Sequence, residues 1–507
     1  SGVIECVLGN FDGQKFEPEE GRFIQVASTE ETVCGLTSSG AVQCWGFGGN
    51  GQGGWGDYEN RTYPTEVRVS VDGVFVPLQG VKKISGGEYH VCALTGKGRV
   101  YCWGYNGYGA VGSGSEVSWH NSPAAVVGLE GQGYLENVVD VGARADGTCA
   151  VDHNGKVYCW GKNGFGALGT GLSESELAQS AVPVPVKKMV QASDGTEQLE
   201  ELEGAIGISS SMYQNTACAI LKDNLVTGSG STNIVCWGND GASGGNGLLA
   251  QGSAAGESSY ALEPLGPFYG KVFKSIQIGR RFACGLSVYG SVYCWGKNDK
   301  GQLGDPRLED SFKTADAVHT NHIENSTCQY DSHCSDYGSG VGCTGADGTP
   351  DSGHCAYEMD RVASLSVGKS HACAVRRNGC GTSDCAGASV YCWGSNGTDN
   401  LDATKGEGSI GVEGPGTFAS PQMLNWDQVD GIPVSVGLGQ EHSCAVLSNG
   451  KVACWGHNQF YQTGTKESST DNQLTPAMIY SADPPRGLYG TMGVTGVVAG
   501  VSNSCAL

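Results

Sequence analysis

Hydrophobic and polar positions alternate along many short segments of this chain. In residues 157–160, Val157 and Cys159 alternate with Tyr158 and Trp160, and this period of two in β-branched and aromatic residues is typical of a β-strand. A similar short segment precedes this strand, and the two segments with the turn between them predict a β-hairpin. No run of apolar residues approaches the roughly 18 that a spanning helix needs, so a transmembrane helix is not predicted.

The same hairpin recurs around pairs of cysteines. In five copies the two cysteines are ten positions apart, and two longer copies hold extra residues between them. Successive copies begin about 57 to 89 residues apart, which predicts stacked units that share a core and differ in their loops. The seven pairs are Cys34 with Cys44, Cys92 with Cys102, Cys149 with Cys159, Cys284 with Cys294, Cys444 with Cys454 and, in the longer copies, Cys218 with Cys236 and Cys373 with Cys392.

Glycine sets the register of these hairpins. Facing cysteines ten positions apart leave a three-residue loop at the midpoint, and the third loop residue is glycine in all five regular copies. Such a loop requires a left-handed residue at this place, which glycine provides without steric penalty. The cysteine Cα atoms are then expected roughly 4.5–5.5 Å apart, within the range of a disulfide. The five glycines are Gly40, Gly98, Gly155, Gly290 and Gly450.

Disulfides are predicted in preference to zinc. Structural zinc sites use closely spaced pairs such as Cys-x2-Cys, and none occurs; Cys380 and Cys385, with four residues between them, come nearest and are also expected to be disulfide-bonded. Facing thiols in this number predict an oxidising compartment, so we expect a secreted protein that is extracellular or at the cell surface. The chain opens with Ser1 and Gly2, and we expect any signal peptide to have been removed.

Three N-glycosylation sequons agree with a secretory route. They lie at Asn60, Asn325 and Asn396, and each has the required hydroxyl residue two positions later. They predict a glycoprotein.

The two ends of the chain complete one further copy of the repeat. The residues from Cys505 onward match its first half, and the residues up to Cys6 match its second half, with Gly2 four positions before the cysteine as in other copies. Together with the seven internal copies this predicts eight units in a ring, closed by a Cys6–Cys505 disulfide. Two alternatives stay open: an open array with half-repeats at its ends, or a polymer in which the first strand pairs with Cys505 of another molecule.

The full repeat extends beyond the hairpin. Its pattern is (His)-x-Cys-Ala-Leu-x3-Gly-x-Val-x-Cys-Trp-Gly-x-Asn-x2-Gly-x-Leu-Gly, which appears with substitutions at residues 90–112, 148–169, 282–304 and 442–464. It resembles the repeats of the regulator of chromosome condensation family and of propeller-type β-lactamase inhibitory proteins. The resemblance implies an all-β fold: a β-propeller of four-stranded antiparallel blades that spans residues 1–507 as a single domain. Eight blades are favoured from the repeat count, and seven, the usual number in such families, are the alternative.

Residues 305–360 are predicted to form a disulfide-rich insert between blades. The insert holds Cys328, Cys334, Cys343 and Cys355, and the sequence leaves their three alternative pairings open. Small inserts of this kind on a rigid scaffold are where recognition is expected to vary.

Two acidic segments are interpreted as solvated loops. In the insert, Asp331, Asp336, Asp347 and Asp351 offer oxygen ligands for calcium but do not follow the EF-hand spacing. Residues 194–203 form a second acidic segment, with a helical excursion as one alternative and the steering of a basic partner as another.

The net charge excludes some partners. With 30 Lys+Arg against 52 Asp+Glu the chain carries −22, which argues against binding nucleic-acid phosphates or inserting into anionic membranes. Residues 107–112 and 164–169 both match the dinucleotide-binding pattern Gly-x-Gly-x-x-Gly, but they recur at equivalent places in the repeat, so we interpret them as turns. No cofactor, metal site or catalytic residue is predicted.

The repeat histidines and the tryptophans are candidate sites. His90, His371 and His442 each stand two positions before a repeat cysteine, in different units, which favours structural hydrogen bonds over a metal site. The tryptophan beside each second cysteine is expected to pack between blades. Three tryptophans outside the repeat core are candidates for contact surfaces: Trp55, Trp119 and Trp426.

These observations favour a secreted, non-enzymatic propeller that binds a protein partner or assembles with itself, at the cell surface or in an extracellular appendage. A lectin-like propeller that binds glycans is the first alternative, and an exposed Trp55 or Trp119 beside acidic residues would favour it. A hydrolase or lyase in the central channel is the second alternative, which requires converging carboxylates with a histidine.

Overall fold

The structure is a computed structural model of the chain. It describes residues 4–8, 15–16, 23–192, 194–222, 232–239, 247–249, 257–264, 271–304, 312–322, 341–344, 354–377, 387–397, 408–412, 416–427, 429–459, 463, 472–479, 496–499 and 503–506. Its regular elements are almost all β-strands, and none of these residues forms an α-helix. Among them, no helix is long and apolar enough to cross a bilayer.

The first half of the chain forms three four-stranded antiparallel blades after two short strands, β1 (Ile4–Leu8) and β2 (Lys15–Phe16). The first blade comprises β3 (Phe23–Ser28), β4 (Thr32–Thr37), β5 (Val42–Gly46) and β6 (Arg61–Glu66), and the hairpin β7 (Arg68–Val71) and β8 (Val74–Pro77) follows it. The second blade comprises β9 (Val81–Gly86), β10 (His90–Thr95), β11 (Val100–Tyr105) and β12 (Trp119–Ala125), followed by a 3-10 turn at Leu129–Gly131. The third comprises β13 (Val138–Arg144), β14 (Gly147–Asp152), β15 (Val157–Lys162) and β16 (Gln179–Pro185), with a second 3-10 turn at Gly164–Gly166.

The second half continues the same arrangement. A hairpin of β17 (Lys187–Gln191) and β18 (Glu197–Glu201) precedes the fourth blade, which comprises β19 (Ala205–Ser210), β20 (Thr216–Leu221), β21 (Ile234–Asn239) and β22 (Glu257–Leu262). The fifth comprises β23 (Phe273–Ile278), β24 (Phe282–Ser287), β25 (Val292–Gly296) and β26 (Phe312–Ala317). After β27 (His319–His322), β28 (Val341–Thr344) and β29 (His354–Glu358), the sixth comprises β30 (Val362–Val367), β31 (His371–Arg377), β32 (Ala388–Ser395) and β33 (Thr417–Met423). The seventh comprises β34 (Pro433–Leu438), β35 (His442–Leu447), β36 (Val452–Gly456) and β37 (Gln473–Met478), and the chain ends with β38 (Val497–Ala499) and β39 (Asn503–Ala506).

The hairpin register is the one that the glycines predict. In the first blade Cys34 faces Cys44, and the loop closes with the Gly40 amide donating to the Thr37 carbonyl at 2.9 Å, where Gly40 has a φ of 85°. The cysteines facing each other at the centre of each of the seven blades are disulfide-bonded, with Cα atoms 4.0–4.1 Å apart, slightly closer than the expected spacing. All fourteen of these cysteines are buried.

Seven blades, each made from a continuous stretch of chain, are present, so the favoured count of eight is corrected to the alternative of seven. The physical reason is that the eighth copy of the repeat is divided between the two ends and no single hairpin carries it. The ends contribute a separate four-stranded sheet, which we call the terminal sheet, in the order β2-β1-β39-β38. In its backbone register Cys6 lies opposite Cys505, and the side chains of both residues lie outside the described part of the chain.

The hydrophobic core lies between neighbouring blades. One cluster joins Val151 and Leu168 of the third blade to Ile208 and Trp237 of the fourth, and equivalent clusters join other pairs. The tryptophan after each second cysteine is fully buried in these contacts. Trp103, Trp160, Trp295 and Trp393 each donate their indole N–H to a backbone carbonyl of the preceding blade, at 2.8–2.9 Å. The repeated tryptophan therefore packs between blades, as predicted, and its hydrogen bond couples each of these blades to the one before it.

Three smaller sheets extend from the blades. β7 and β8 form a two-stranded hairpin, and β17 with β18 extends the sheet of the fourth blade to six strands. Residues 197–201 are thus a strand, which corrects the helical alternative, since Glu197–Glu201 pairs along its whole length with Lys187–Gln191. Within the predicted insert, β27, β28 and β29 form a three-stranded sheet in which Cys343 lies opposite Cys355 in the backbone register. Residues 312–317 of the predicted insert form β26 of the fifth blade, so the insert does not begin as early as residue 305 suggests. The four aspartates that offer calcium ligands lie outside the described residues.

Candidate functional site

The loops that join the first and second strands of the blades lie side by side on one face of the propeller, which we call the loop face. The Glu30 amide donates to the Glu88 carbonyl at 3.0 Å, and the Ala145 amide donates to the Ser211 carbonyl at 3.1 Å. These bonds connect the loop of one blade to the loop of the next. Side chains that are distant in sequence are therefore brought together on this face.

The third strand of each blade ends on the same face. The Tyr105 amide donates to the Tyr89 carbonyl, and the Lys162 amide donates to the Asp146 carbonyl, both at 2.9 Å. The residue just before Tyr105 is Gly104, which has a φ of 105° and whose Cβ, if present, would lie 2.5 Å from the Tyr89 carbonyl oxygen. The glycine of Cys-Trp-Gly thus permits the close approach that places the following side chain on the loop face.

Three tyrosines of the second blade form an aromatic group on this face. The rings of Tyr89 and Tyr105 meet edge to face with centroids 6.5 Å apart, and those of Tyr105 and Tyr108 do so at 6.2 Å. The Lys162 ammonium of the third blade lies 4.5 Å from the centroid of the Tyr108 ring. These geometries are favourable aromatic and cation–π contacts, and all four side chains remain partly exposed.

Carboxylates surround the tyrosines. A hydrogen bond to the Glu30 carboxylate, together with burial and the charge of Glu88, raises the pKa of the Tyr89 hydroxyl. Partial burial raises the pKa of Glu88, and the charges of Asp146 and Glu30 raise it further. We call Glu30, Glu88, Tyr89, Tyr105, Tyr108, Asp146 and Lys162 the tyrosine–acid cluster. It presents negative charge beside aromatic rings, an arrangement that can bind a cationic group.

A buried arginine supports this cluster from below. Arg144 is fully buried, and its guanidinium donates to the Asn215 Oδ1 atom at 3.1 Å and to the Lys162 carbonyl at 2.9 Å. Asn215 in turn donates to Asp146 at 3.3 Å. Burial lowers the pKa of Arg144 to about 10, and the charge of Asp146 opposes that shift. Arg144 thus fixes the loops that carry Asp146 and Lys162.

The other side of the loop face is basic. Arg280 and Arg281 occupy the equivalent loop of the fifth blade, and the Arg280 amide donates to the Lys369 carbonyl of the sixth at 3.2 Å. Lys297, at the end of the third strand of the fifth blade, pairs with Asp299 at 2.7 Å. The acidic and basic groups therefore lie on different blades of one face.

The repeat histidines have structural roles in the described blades. His90 Nε2 lies 3.0 Å from Thr148 Oγ1 of the next blade, and His371 Nε2 lies 3.0 Å from Ser443 Oγ. Burial lowers the pKa of His90 to about 4 and that of His371 to about 3. In the tyrosine–acid cluster tyrosines lie beside the carboxylates, and the buried His90 interacts with the charge of Asp146. His442 is buried at the same position of its blade.

Two of the three tryptophans outside the repeat core are not free contact surfaces. Trp55 is buried, its indole N–H donates to the Thr65 carbonyl at 3.2 Å, and Arg61 covers its ring, so the prediction for Trp55 was wrong. Trp426 is partly buried and packs edge to face on Trp455 with centroids 6.1 Å apart. Trp119 is 46% exposed and stays a candidate.

The glycine-rich motifs are turns. Gly109 and Gly112 have φ angles of 80° and 72°, and a Cβ on Gly112 would lie 2.6 Å from the indole nitrogen of Trp160. In the third blade Gly166 and Gly169 have φ angles of 71° and 70°. Each motif fits the backbone beneath the tryptophan of the following blade, which explains why it recurs.

The sequons have different outcomes. Asn60 is exposed, and its side-chain oxygen accepts from the Gly48 amide at 3.0 Å. Asn396 is fully buried, donates to the Val412 carbonyl at 2.9 Å and accepts from the Ile410 amide at 3.1 Å, so its burial in the folded chain disfavours a glycan at this position. Asn325 lies outside the described residues.

Other predicted positions can be placed only in part. Six further cysteines predicted to form disulfides lie outside the described side chains: Cys328, Cys334, Cys343, Cys355, Cys380 and Cys385. In the part of the chain whose side chains are described, no group of three or more His, Cys, Asp or Glu side chains is placed to hold a metal ion.

The tyrosine–acid cluster was missed from the sequence. The signal that identifies it is the position after Cys-Trp-Gly, which varies while the three residues before it stay constant. The seven residues at this position are Phe47, Tyr105, Lys162, Asn239, Lys297, Ser395 and His457. A variable position inside an invariant framework indicates an exposed side chain on a rigid scaffold.

Comparison with known proteins agrees with this architecture. One family model of the regulator of chromosome condensation repeat matches residues 39–94, 97–151 and 154–196. A second family model of the same repeat matches residues 81–110, 138–167, 273–302 and 434–462. The ultraviolet-B receptor of Arabidopsis thaliana is 26% identical over 313 residues, which cover 60% of this chain and 61% of the receptor. A human G exchanging factor-like protein is 27% identical over 307 residues, which cover 58% of this chain and 57% of that protein. The chain thus spans less than two thirds of the length of these curated relatives.

A solved structure shares the fold. Prp20p of Saccharomyces cerevisiae, described with its binding to Gsp1p and histones, superposes with a TM-score of 0.54 at 17% identity, over 93% of this chain and 92% of that one. At this identity the likeness concerns the fold. The chain is therefore a β-propeller in which several repeats match the regulator of chromosome condensation repeat.

Proposed function

We propose that this protein is a non-enzymatic binding module that holds a protein partner on its loop face, with the tyrosine–acid cluster as the centre of contact. The observation that carries the proposal is the group of three partly exposed tyrosines next to Glu30, Glu88 and Asp146. Tyrosines on a rigid scaffold supply large contact areas at low entropic cost, and they are enriched where interfaces are strongest.

The charges suggest what such a partner carries. The carboxylates near the tyrosines favour a lysine- or arginine-bearing surface, and Arg280 and Arg281 on the other side favour acidic groups. Relatives with this repeat include a receptor and an exchange-factor-like protein, and Prp20p is described by its binding to other proteins. A partner that matches both charge signs would bind in one orientation.

We also propose that the propeller works outside the cell, either alone or as part of a surface structure. Seven buried disulfides support this, because facing thiols stay oxidised in secretory compartments and not in the cytosol. The exposed sequon at Asn60 agrees with the same route.

The terminal sheet is proposed to lie between the seventh and the first blade and so to close the ring of seven blades. Its strand β38 contacts β34 of the seventh blade and β3 of the first, which is the arrangement that the innermost strands of other neighbouring blades share. A disulfide between Cys6 and Cys505 would then join the two ends. Peptide mapping under non-reducing conditions tests this: an intramolecular Cys6–Cys505 peptide supports closure, whereas the same pair linking two chains supports a polymer.

Site-specific photocrosslinking tests the binding proposal. Tyr108 of the cluster is replaced by p-benzoylphenylalanine, and Tyr289, which is 79% exposed on the hairpin at the opposite face, is replaced in a control protein. Both proteins are exposed to the secreted proteins of the source cells. We expect a specific adduct from position 108 that is lost in a Glu88→Lys background and absent from position 289. Equal adducts from both positions, or none from position 108, would contradict the proposal.

A further inference from the structure

The sheet of the fourth blade has an open edge. Its six strands run β18-β17-β22-β21-β20-β19, and β17 joins the blade through a parallel bridge between Lys188 and Ala261. β18 is therefore the outermost strand, and no described residue pairs with its outer side. An open edge presents backbone N–H and C=O groups that can pair with another strand.

The register identifies which groups face outward. The Ala192 amide donates to the Thr196 carbonyl and the Leu202 amide donates to the Val186 carbonyl, both at 2.8 Å. Hydrogen-bonded and non-hydrogen-bonded pairs alternate along an antiparallel ladder. The outward groups of β18 are therefore the N–H and C=O groups of Glu197, Leu199 and Glu201.

This edge lacks two of the usual protections against pairing, proline and a β-bulge, and carries only glutamates as charged residues. The other hairpin, β7 with β8, has a proline at its edge. The Leu78 amide donates to the Val67 carbonyl at 2.9 Å, so the next pair along the ladder, Arg68 with Pro77, is a non-hydrogen-bonded pair. The backbone of Pro77 therefore faces outward, at one of the two outward-facing positions of β8. Proline has no N–H, and it blocks strand addition there. β18 (EQLEE) contains neither proline nor lysine, and it pairs with β17 without a bulge.

The edge is strongly acidic and firmly anchored. Glu197, Glu200 and Glu201 are exposed, and Glu203 follows directly. Lys156 of the third blade pairs with Glu201 at 2.6 Å and reaches Glu203 at 3.6 Å. Leu199 is the one partly buried residue of the strand and lies against Gly171, where a Cβ would be 2.3 Å from its side chain. The strand is thus held in place, partly through the Lys156 ion pairs, while its outer backbone edge stays open and its glutamates remain exposed to solvent.

We infer that β18 is a docking edge for an extended segment of a partner protein that alternates lysine or arginine with apolar residues. Such a segment would add a seventh strand to the sheet, with its backbone paired to Glu197, Leu199 and Glu201. Its cations would lie beside the carboxylates, so that main-chain bonds give affinity and charge gives selectivity. This surface is separate from the tyrosine–acid cluster, so the inference does not depend on the proposed function.

The test measures binding of a fluorescein-labelled peptide, acetyl-Lys-Val-Lys-Val-Lys-Val-amide, to the full chain by anisotropy. Two control peptides have the same length: one has its alternate backbone nitrogens methylated, and the other has glutamate in place of lysine. We expect the unmodified lysine peptide to bind, both controls to bind at least tenfold more weakly, and the affinity to fall as salt is raised.

Variants separate the backbone from the charge. Glu197→Pro removes one outward N–H that the hairpin itself does not use, and Glu197→Gln removes the same charge but keeps the N–H. We expect the proline variant to bind several-fold more weakly than the glutamine variant, with both showing the thermal unfolding midpoint of the parent. A Tyr105→Ala variant of the cluster is expected to bind the peptide as the parent does. Equal affinities of the two Glu197 variants, or no binding by the parent at millimolar peptide, would overturn the inference.

Discussion

His371 and Ser443 share a hydrogen bond of 3.0 Å although 72 residues separate them. Ser443 also donates to the Ser409 carbonyl at 2.9 Å, so its oxygen accepts the proton of His371 Nε2. His90 and Thr148 repeat this arrangement, since Thr148 donates to the Ala110 carbonyl at 3.0 Å. The histidine two positions before a repeat cysteine therefore joins its blade to the next one, and it must be neutral to fit its buried site.

This burial predicts a loss of stability on acidification. Both histidines have pKa values far below the ordinary 6.5, at about 4 and about 3, so the unfolded chain takes up protons before the native one does. The stability that they contribute is complete above pH 6.5 and is lost as the pH falls toward the folded pKa values. We expect up to about 2 kcal/mol of destabilisation per histidine between pH 7 and pH 5, measured by denaturant unfolding.

A matched pair of variants isolates the effect. His371→Gln keeps a donor for Ser443 but cannot be protonated, so its unfolding free energy is expected to depend less on pH over this range. His153→Gln changes an exposed histidine and should leave the slope as it is in the parent. A parent-like slope in His371→Gln would contradict the prediction.

The blade was predictable from sequence because its constraints are local. Cys92 and Cys102, with Gly98 between them, fix one hairpin register, and a ten-residue spacing allows few alternatives. The number of complete blades was not predictable in this way, because the eighth repeat depends on whether Cys6 and Cys505 meet, and nearly 500 positions lie between them.

The loop-face site depends on contacts that no spacing reveals. Glu30 and Tyr89 belong to different blades, and their interaction exists only because the loop of one blade is hydrogen-bonded to the loop of the next. Asn396 shows that a short sequence motif can also suggest a role that differs from the one the residue has in the fold. It matches a sequon, yet it is the repeat asparagine that holds the following loop, as Asn163 does by accepting from the Leu168 amide at 2.8 Å.

Glycosylation is predicted at Asn60 and not at Asn396. When the chain is expressed through a eukaryotic secretory pathway, endoglycosidase treatment followed by peptide mapping should find a glycan at Asn60 and an unmodified Asn396. Asn60→Gln should remove that glycan with little effect on folding, because the residue is exposed. Asn396→Ala should destabilise the fold by about 1–3 kcal/mol, since it leaves the Ile410 amide and the Val412 carbonyl without partners. A glycan on Asn396 would contradict the burial of this side chain.

Glu88 should make the loop face sensitive to pH. Its pKa is raised by burial and then by Asp146 and Glu30, so ionisation opposes folding at neutral pH, and this cost disappears as the pH falls through the raised value. Glu88→Gln is expected to stabilise the protein by about 0.5 kcal/mol at pH 7, a gain discounted for its partial exposure, and to bring no gain near pH 4. Thermal unfolding at both pH values measures this, with the exposed Glu116→Gln as control. A gain that is equal at the two pH values would exclude this cause.

Arg144 should matter more for stability than any exposed cation of the propeller. Its guanidinium is the donor for Asn215 and for the Lys162 carbonyl, and its charge faces Asp146. Arg144→Met fills a similar volume but removes both guanidinium hydrogen bonds from a buried site and takes the Arg144 charge away from Asp146, which keeps Lys162 at 3.5 Å as its ion-pair partner. We therefore expect a loss of about 1–3 kcal/mol in the free energy of unfolding. Arg99→Met removes the exposed partner of Glu136, an ion pair of 2.9 Å, and should change stability very little. If the two variants unfold at the same denaturant concentration, the buried arginine does not fix the loops of the tyrosine–acid cluster.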